Sequence, residues 1–128
     1  MAPTAALTPT LEGMSLSIGM ITTDSTDPLP LAQWWAERLS GQVVAENDGW
    51  FVIIETPSGV MAFQKVDTVT PGKNKLHIDF TVTGSLSEAT DLLIAQGASL
   101  LGERREGENR WFTLADPQGN EFCVAREE

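Results

Sequence analysis

Trp111-Phe112-Thr113-Leu114-Ala115-Asp116-Pro117-Gln118-Gly119-Asn120-Glu121-Phe122-Cys123-Val124 starts as an alternating strand, breaks at a turn and resumes as an alternating strand. The same wording stands earlier in the chain. Trp50-Phe51 begins a strand, Thr56-Pro57-Ser58-Gly59 makes the turn, and a second apolar strand runs through Val66. Pro57 and Pro117 lie 60 positions apart. Working outward, an amphipathic run precedes each strand pair and stops at a glycine, Gly41 in the first and Gly97 in the second, 56 positions apart. Self-similarity at a nearly fixed offset predicts two copies of one unit, each with an apolar face to cover, and places function where the copies meet. The expected arrangement is a flexible leader over 1–13 and one domain over 14–126, with repeats at about 14–68 and 75–126.

The composition supports a folded domain and excludes several functions. With 128 residues, 41% apolar and 20% charged, the chain can bury a real core. Its longest apolar stretches span only a handful of residues, too few to cross a bilayer. The opening Met-Ala-Pro-Thr-Ala-Ala lacks the basic start and apolar block of a secretion signal, so a cytoplasmic location follows by default. A single cysteine, Cys123, rules out an internal disulfide framework and agrees with a reducing compartment. The formal charge of −10 repels nucleic acid and anionic membranes. Such acidity would attract a cationic ligand, although solubility alone is the preferred explanation.

Asp27 is placed to cap a first helix with Pro28 in its first turn, after which Leu31, Trp34, Trp35 and Leu39 recur at helical spacing. Ser85 and Glu88 have the spacing of a capping box, Ala89, Leu92 and Leu93 form a stripe, and Gly97 is placed for a left-handed cap. Each helix should run about ten to twelve residues. Elsewhere the pattern has period two. Leu76, Ile78, Phe80 and Val82 oppose His77, Asp79 and Thr81; Leu16, Ile18 and Met20 oppose Ser15, Ser17 and Gly19; Phe122 and Val124 oppose Glu121, Cys123 and Ala125. Helices should cover the apolar faces, leaving His77 and Glu121 on a face that lines a cavity or open surface. Asn47-Asp48-Gly49 and Glu106-Gly107-Glu108-Asn109 should turn hairpins.

Each unit thus reads as strand, helix, then three antiparallel strands. This order, with Leu76-His77-Ile78-Asp79, the stretch from Ala115 to Val124, and the Trp34-Trp35 pair in the first helix, resembles the vicinal oxygen chelate superfamily. That superfamily includes glyoxalase I, the bleomycin-resistance proteins and the extradiol dioxygenases. The resemblance implies an α+β fold of two βαβββ units, with curved mixed sheets around a central cavity, commonly in a homodimer. It also implies one divalent metal, zinc, nickel, iron or manganese, held from four strands. Carried over, those positions fall near Ser17, with Gly19 competing, and at Gln64, His77 and Cys123; Glu121 lies two residues before Cys123 on the same face.

Two alternatives stay open. In one, His77, Gln64 and either Glu121 or Cys123 bind a metal, giving a lyase or dioxygenase for a vicinal-oxygen substrate. In the other, no metal is held, and a small molecule binds among Ser17, Gln64, His77, Glu121 and Cys123. Catalytic metal sites keep about three good protein ligands, and a primary amide is a poor one, so the metal-free reading is preferred. Enzyme status is left open between them, and a domain whose role is assembly with another protein is the third class. If there is catalysis, His77 and Glu121 are the expected acid and base. Cys123 reads more simply as inert core, Trp50 and Trp111 as packing residues, and Arg104, Arg105 and Arg110 as a solvated hairpin beside Glu103, Glu106 and Glu108.

Overall fold

The structure, a computed structural model, describes residues 18–72 and 76–126. The leader and residues 14–17, Ser17 included, lie outside the described residues. The chain divides into two compact units, Met1–Val66 and Asp67–Glu128. Each unit has the βαβββ order that the repeat predicts.

In the first unit β1 (Ile21–Ser25) leads to α1 (Pro28–Arg38), followed by β2 (Gln42–Ala45), β3 (Phe51–Thr56) and β4 (Gly59–Lys65). The sheet order is β1-β4-β3-β2, with β1 parallel to β4 and the other pairs antiparallel. Pro28, Leu31, Ala32, Trp35 and Ala36 are the buried residues of α1, a stripe at helical spacing that packs on β3 and β4. Beneath it Val52, Ile54, Met61 and Phe63 supply the core. Trp34 sits at the margin, edge-on to Trp35 at 4.9 Å and under the Arg38 guanidinium at 5.0 Å.

Two expectations need correction here. The first strand is Ile21–Ser25, whereas Ile18 to Met20 form no strand and are exposed. Parallel pairing with β4, in register from Ile21 opposite Met61 to Ser25 opposite Lys65, sets its position in place of the earlier alternation. Asp27 makes no side-chain cap to α1; the buried Ser25 hydroxyl instead accepts the Asp27 backbone N–H at 2.9 Å. The left-handed residue after α1 is Ser40, at φ 56°, one position before Gly41. A Cβ on Gly41 would collide with the Glu55 carbonyl oxygen, so this glycine permits close approach of β2 to β3.

In the second unit β5 (Ile78–Val82) precedes α2 (Leu86–Ala95), β6 (Ser99–Glu106), β7 (Asn109–Ala115) and β8 (Glu121–Arg126). The sheet order is β5-β8-β7-β6, again with one parallel pair, β5 and β8. The Ser85 hydroxyl caps α2 by accepting the Glu88 N–H at 3.1 Å, and Gly97 ends it at φ 115°. Both agree with the sequence reading. The buried residues of α2 are Leu86 and Thr90; Leu92 is exposed because it lies six positions from Leu86, well around the helix. Leu76 is likewise exposed, since register with β8 begins only at Ile78 opposite Phe122. No described helix is long and apolar enough to cross a membrane.

The Thr90 hydroxyl is buried with no hydrogen-bond partner among the described residues. A buried, unsatisfied hydroxyl carries a desolvation penalty that an isosteric methyl does not. Thr90→Val is expected to raise unfolding stability by about 1 kcal/mol, read from the urea midpoint at unchanged slope.

Candidate functional site

Register in the second unit decides which side chains share a face. Asp79, Cys123, Thr113 and Gly102 stand in one row across β5, β8, β7 and β6, and Thr81, Ala125, Trp111 and Arg104 stand in the next. The opposite face carries Phe112, Leu114, Phe122 and Val124, all buried, with α2 packed on β8. The face with the polar row is open. It forms a groove of about 1750 Å³ with His77, Asp79, Glu121, Cys123, Thr113 and Arg104 among its lining.

At the β5–β8 side of the groove three potential ligand groups meet. The His77 imidazole, the Asp79 carboxylate and the Cys123 thiol offer atoms that all lie within 4.8 Å of one another. His77 Nε2 is 3.2 Å from Asp79 Oδ1, and the two side chains remain 39% and 72% exposed, so a ligand can reach them. Cys123 is half-buried with its Sγ 3.5 Å from the Thr113 hydroxyl. Pairing of β5 with β8 brings Asp79 opposite Cys123, and His77 sits two residues before Asp79, on the chain just ahead of the strand.

The remaining candidates fall as follows. Glu121 is half-buried and lines the same groove, one pleat along β8 from Cys123, but is not in the three-residue group. Gln64 belongs to the first unit, exposed on β4 between Asp24 of β1 and Phe51 of β3. Trp111 is half-buried in the groove and Trp50 is 57% exposed, so neither braces a core. Two carboxylates were missed by the sequence reading. Asp79 shares the alternation that puts His77 on the groove face, and that signal was available. Asp24 was hidden by the misplaced first strand.

An imidazole, a carboxylate and a thiol form a donor set suited to zinc or another borderline divalent ion. Of the family-implied positions, His77 and Cys123 are joined here by Asp79, Gln64 lies in the first unit, and Ser17 is outside the described residues.

The glyoxalase-like domain family's sequence model matches residues 20–125. The chain belongs to this family. It is therefore a member of the vicinal oxygen chelate superfamily, as the resemblance implied. Its fold is similar to that of the fosfomycin resistance protein FosX from Listeria monocytogenes, at 15% identity and a TM-score of 0.69 over 90% of this chain and 96% of that one. A glyoxalase/bleomycin resistance protein/dioxygenase family enzyme from Burkholderia phytofirmans gives 18% identity and a TM-score of 0.70, covering 84% and 96%. Another FosX structure, holding Mn(II) and 1S,2S-dihydroxypropylphosphonic acid, gives 17% identity and a TM-score of 0.71, covering 88% and 90%. At these identities the likeness is one of fold. No curated protein is significantly similar to this glyoxalase-like chain in sequence.

Proposed function

We propose that this glyoxalase-like protein binds a small molecule in the groove of its second unit, through a divalent ion held by His77, Asp79 and Cys123. The observation that carries this reading is the gathering of those three groups within 4.8 Å. The count of good ligands that weighed against a metal in the sequence is met once Asp79 is included. A bound ion would supply Lewis acidity toward a carbonyl or adjacent hydroxyl oxygens of the ligand. The superfamily's association with vicinal oxygens, and the Mn(II) and dihydroxypropylphosphonic acid held by FosX, support that ligand class. Glu121 in the same groove is assigned contact with the ligand. A homodimer in the cytoplasm is the proposed setting.

Thermal shifts test the reading. The protein, purified without chelator, is heated with small diketones, with a vicinal-diol phosphonate and with a cationic glycopeptide, each with and without added zinc. A ligand present at about a hundred times its Kd stabilises by about 2.7 kcal/mol. The diketones or the diol should stabilise only when zinc is present, and His77→Ala should remove the effect. Stabilisation by the glycopeptide regardless of zinc would favour metal-free sequestration, and no stabilisation by any probe would favour a role in assembly.

A further inference from the structure

The β6–β7 hairpin carries three arginines with different fates. Arg105 and Arg110 both reach Glu103, their Nε atoms 3.4 Å and 2.6 Å from its carboxylate, and Arg110 also lies over the Phe112 ring at 4.9 Å. Arg104 alternates to the other face, opposite Trp111, and lines the groove. Among the described residues it makes no ion pair and no side-chain hydrogen bond. Its guanidinium folds back over the sheet, with Nη1 3.6 Å from where a Cβ on Gly102 would stand. Gly102 leads the row that continues through Thr113 and Cys123 to Asp79. The groove therefore holds a cation with no ion-pair partner on its β6 side and the His77–Asp79–Cys123 group on the other, with Cys123 about 10 Å away across two strand spacings and Asp79 one spacing beyond.

We propose that Arg104 anchors an anionic group of the ligand, so that the groove selects small organic oxyanions, carboxylate or phosphonate, whose far end reaches toward His77, Asp79 and Cys123. This deepens the groove-binding reading and rests on it. A guanidinium presents a planar fork of donors that pairs two oxygens of such an anion. The net charge of −10 points toward a cationic ligand, but around the groove Arg104, Arg110 and Arg126 offset the carboxylates of Asp79, Glu108 and Glu121. Trp111, on the strand beside Arg104, offers a flat apolar wall for the ligand's carbon body.

The test is an amide chemical-shift titration of the full-length protein with butyrate, propylphosphonate and neutral butyramide at constant ionic strength. The two anions should move the amides of Gly102, Arg104 and Thr113, and butyramide should not. Arg104→Gln should weaken binding of the anions about tenfold or more, Arg104→Lys should restore part of it, and Arg105→Gln should leave it unchanged. The tighter of the two anions names the class. Equal binding by Arg104→Gln, or equal shifts with butyramide, would overturn the anionic preference while leaving groove binding intact. Absence of shifts in any groove residue with all three probes would overturn both the preference and the groove as a small-molecule site.

Discussion

Alanine in place of His77 or Asp79, or serine in place of Cys123, is expected to weaken zinc binding about a hundredfold or more. Outer-shell partners alone are commonly worth 10- to 100-fold in metal affinity, so removing one of only three protein ligands should do no less. Each variant deletes a donor from a group whose atoms lie within 4.8 Å. All three residues sit on the groove side, away from the packed face of the sheet, so the fold should survive the substitutions. Glu121→Gln provides the contrast. Glu121 is one pleat from Cys123 on β8 but outside the group, and its replacement should change zinc affinity far less. Calorimetric titration of the four variants measures this directly. Similar losses in all four would mean that the ion is held by diffuse negative charge and not by the three named donors.

Phe63→Ala is expected to cost about 3–5 kcal/mol of stability. Phe63 is the largest of the fully buried side chains, at 0% exposure, on β4 opposite Val52 of β3 and Thr23 of β1. Truncation leaves a cavity between the sheet and α1 that the rigid strand pairing cannot close. Domains of this kind have about 5–15 kcal/mol in total, so the loss would bring the first unit close to unfolding at ordinary temperature. Urea denaturation followed through tryptophan emission reports it, since Trp34 and Trp35 lie on the helix that packs on this strand. A cost under about 1 kcal/mol would place the core elsewhere.

How far the sequence could be read depended on whether a local pattern or a distant partner fixed each element. The repeat, the turn at Asp116 to Gly119, the Ser85 cap and the inward face of Phe122 and Val124 all follow from spacing within a few residues, and each appears in the fold. Asp116 shows why the turn is so distinct. Its buried carboxylate accepts the backbone N–H groups of Gln118 and Asn120, both at 2.9 Å, together with the Asn120 side-chain amide. The first strand was misread because β1 is placed by parallel pairing with β4, some 40 residues downstream, and no local alternation encodes that register. The same error hid Asp24. Leu92 looked like part of a stripe, but the face of α2 is set by where Leu86 and Thr90 meet the sheet.

The candidate site was half legible. His77 stood out as the lone imidazole, and the face it shares with Cys123 could be derived from alternation. That Asp79 would complete the group depends on β5 lying parallel to β8 in a register that sets Asp79 opposite Cys123. Arg104 was hidden by its neighbours. Three arginines among three glutamates read as a solvated hairpin, and only the pairing of Arg105 and Arg110 with Glu103 leaves Arg104 without an ion-pair partner over Gly102.

Cobalt absorption tests the central claim most directly, because a thiolate bound to Co(II) gives a charge-transfer band that neither carboxylate nor imidazole ligation produces. The band should grow to saturation at one cobalt per chain, vanish in Cys123→Ser and be lost or strongly weakened in His77→Ala and Asp79→Ala. A protein that develops no such band with excess cobalt, or one whose band persists unchanged without His77 and Asp79, would contradict it.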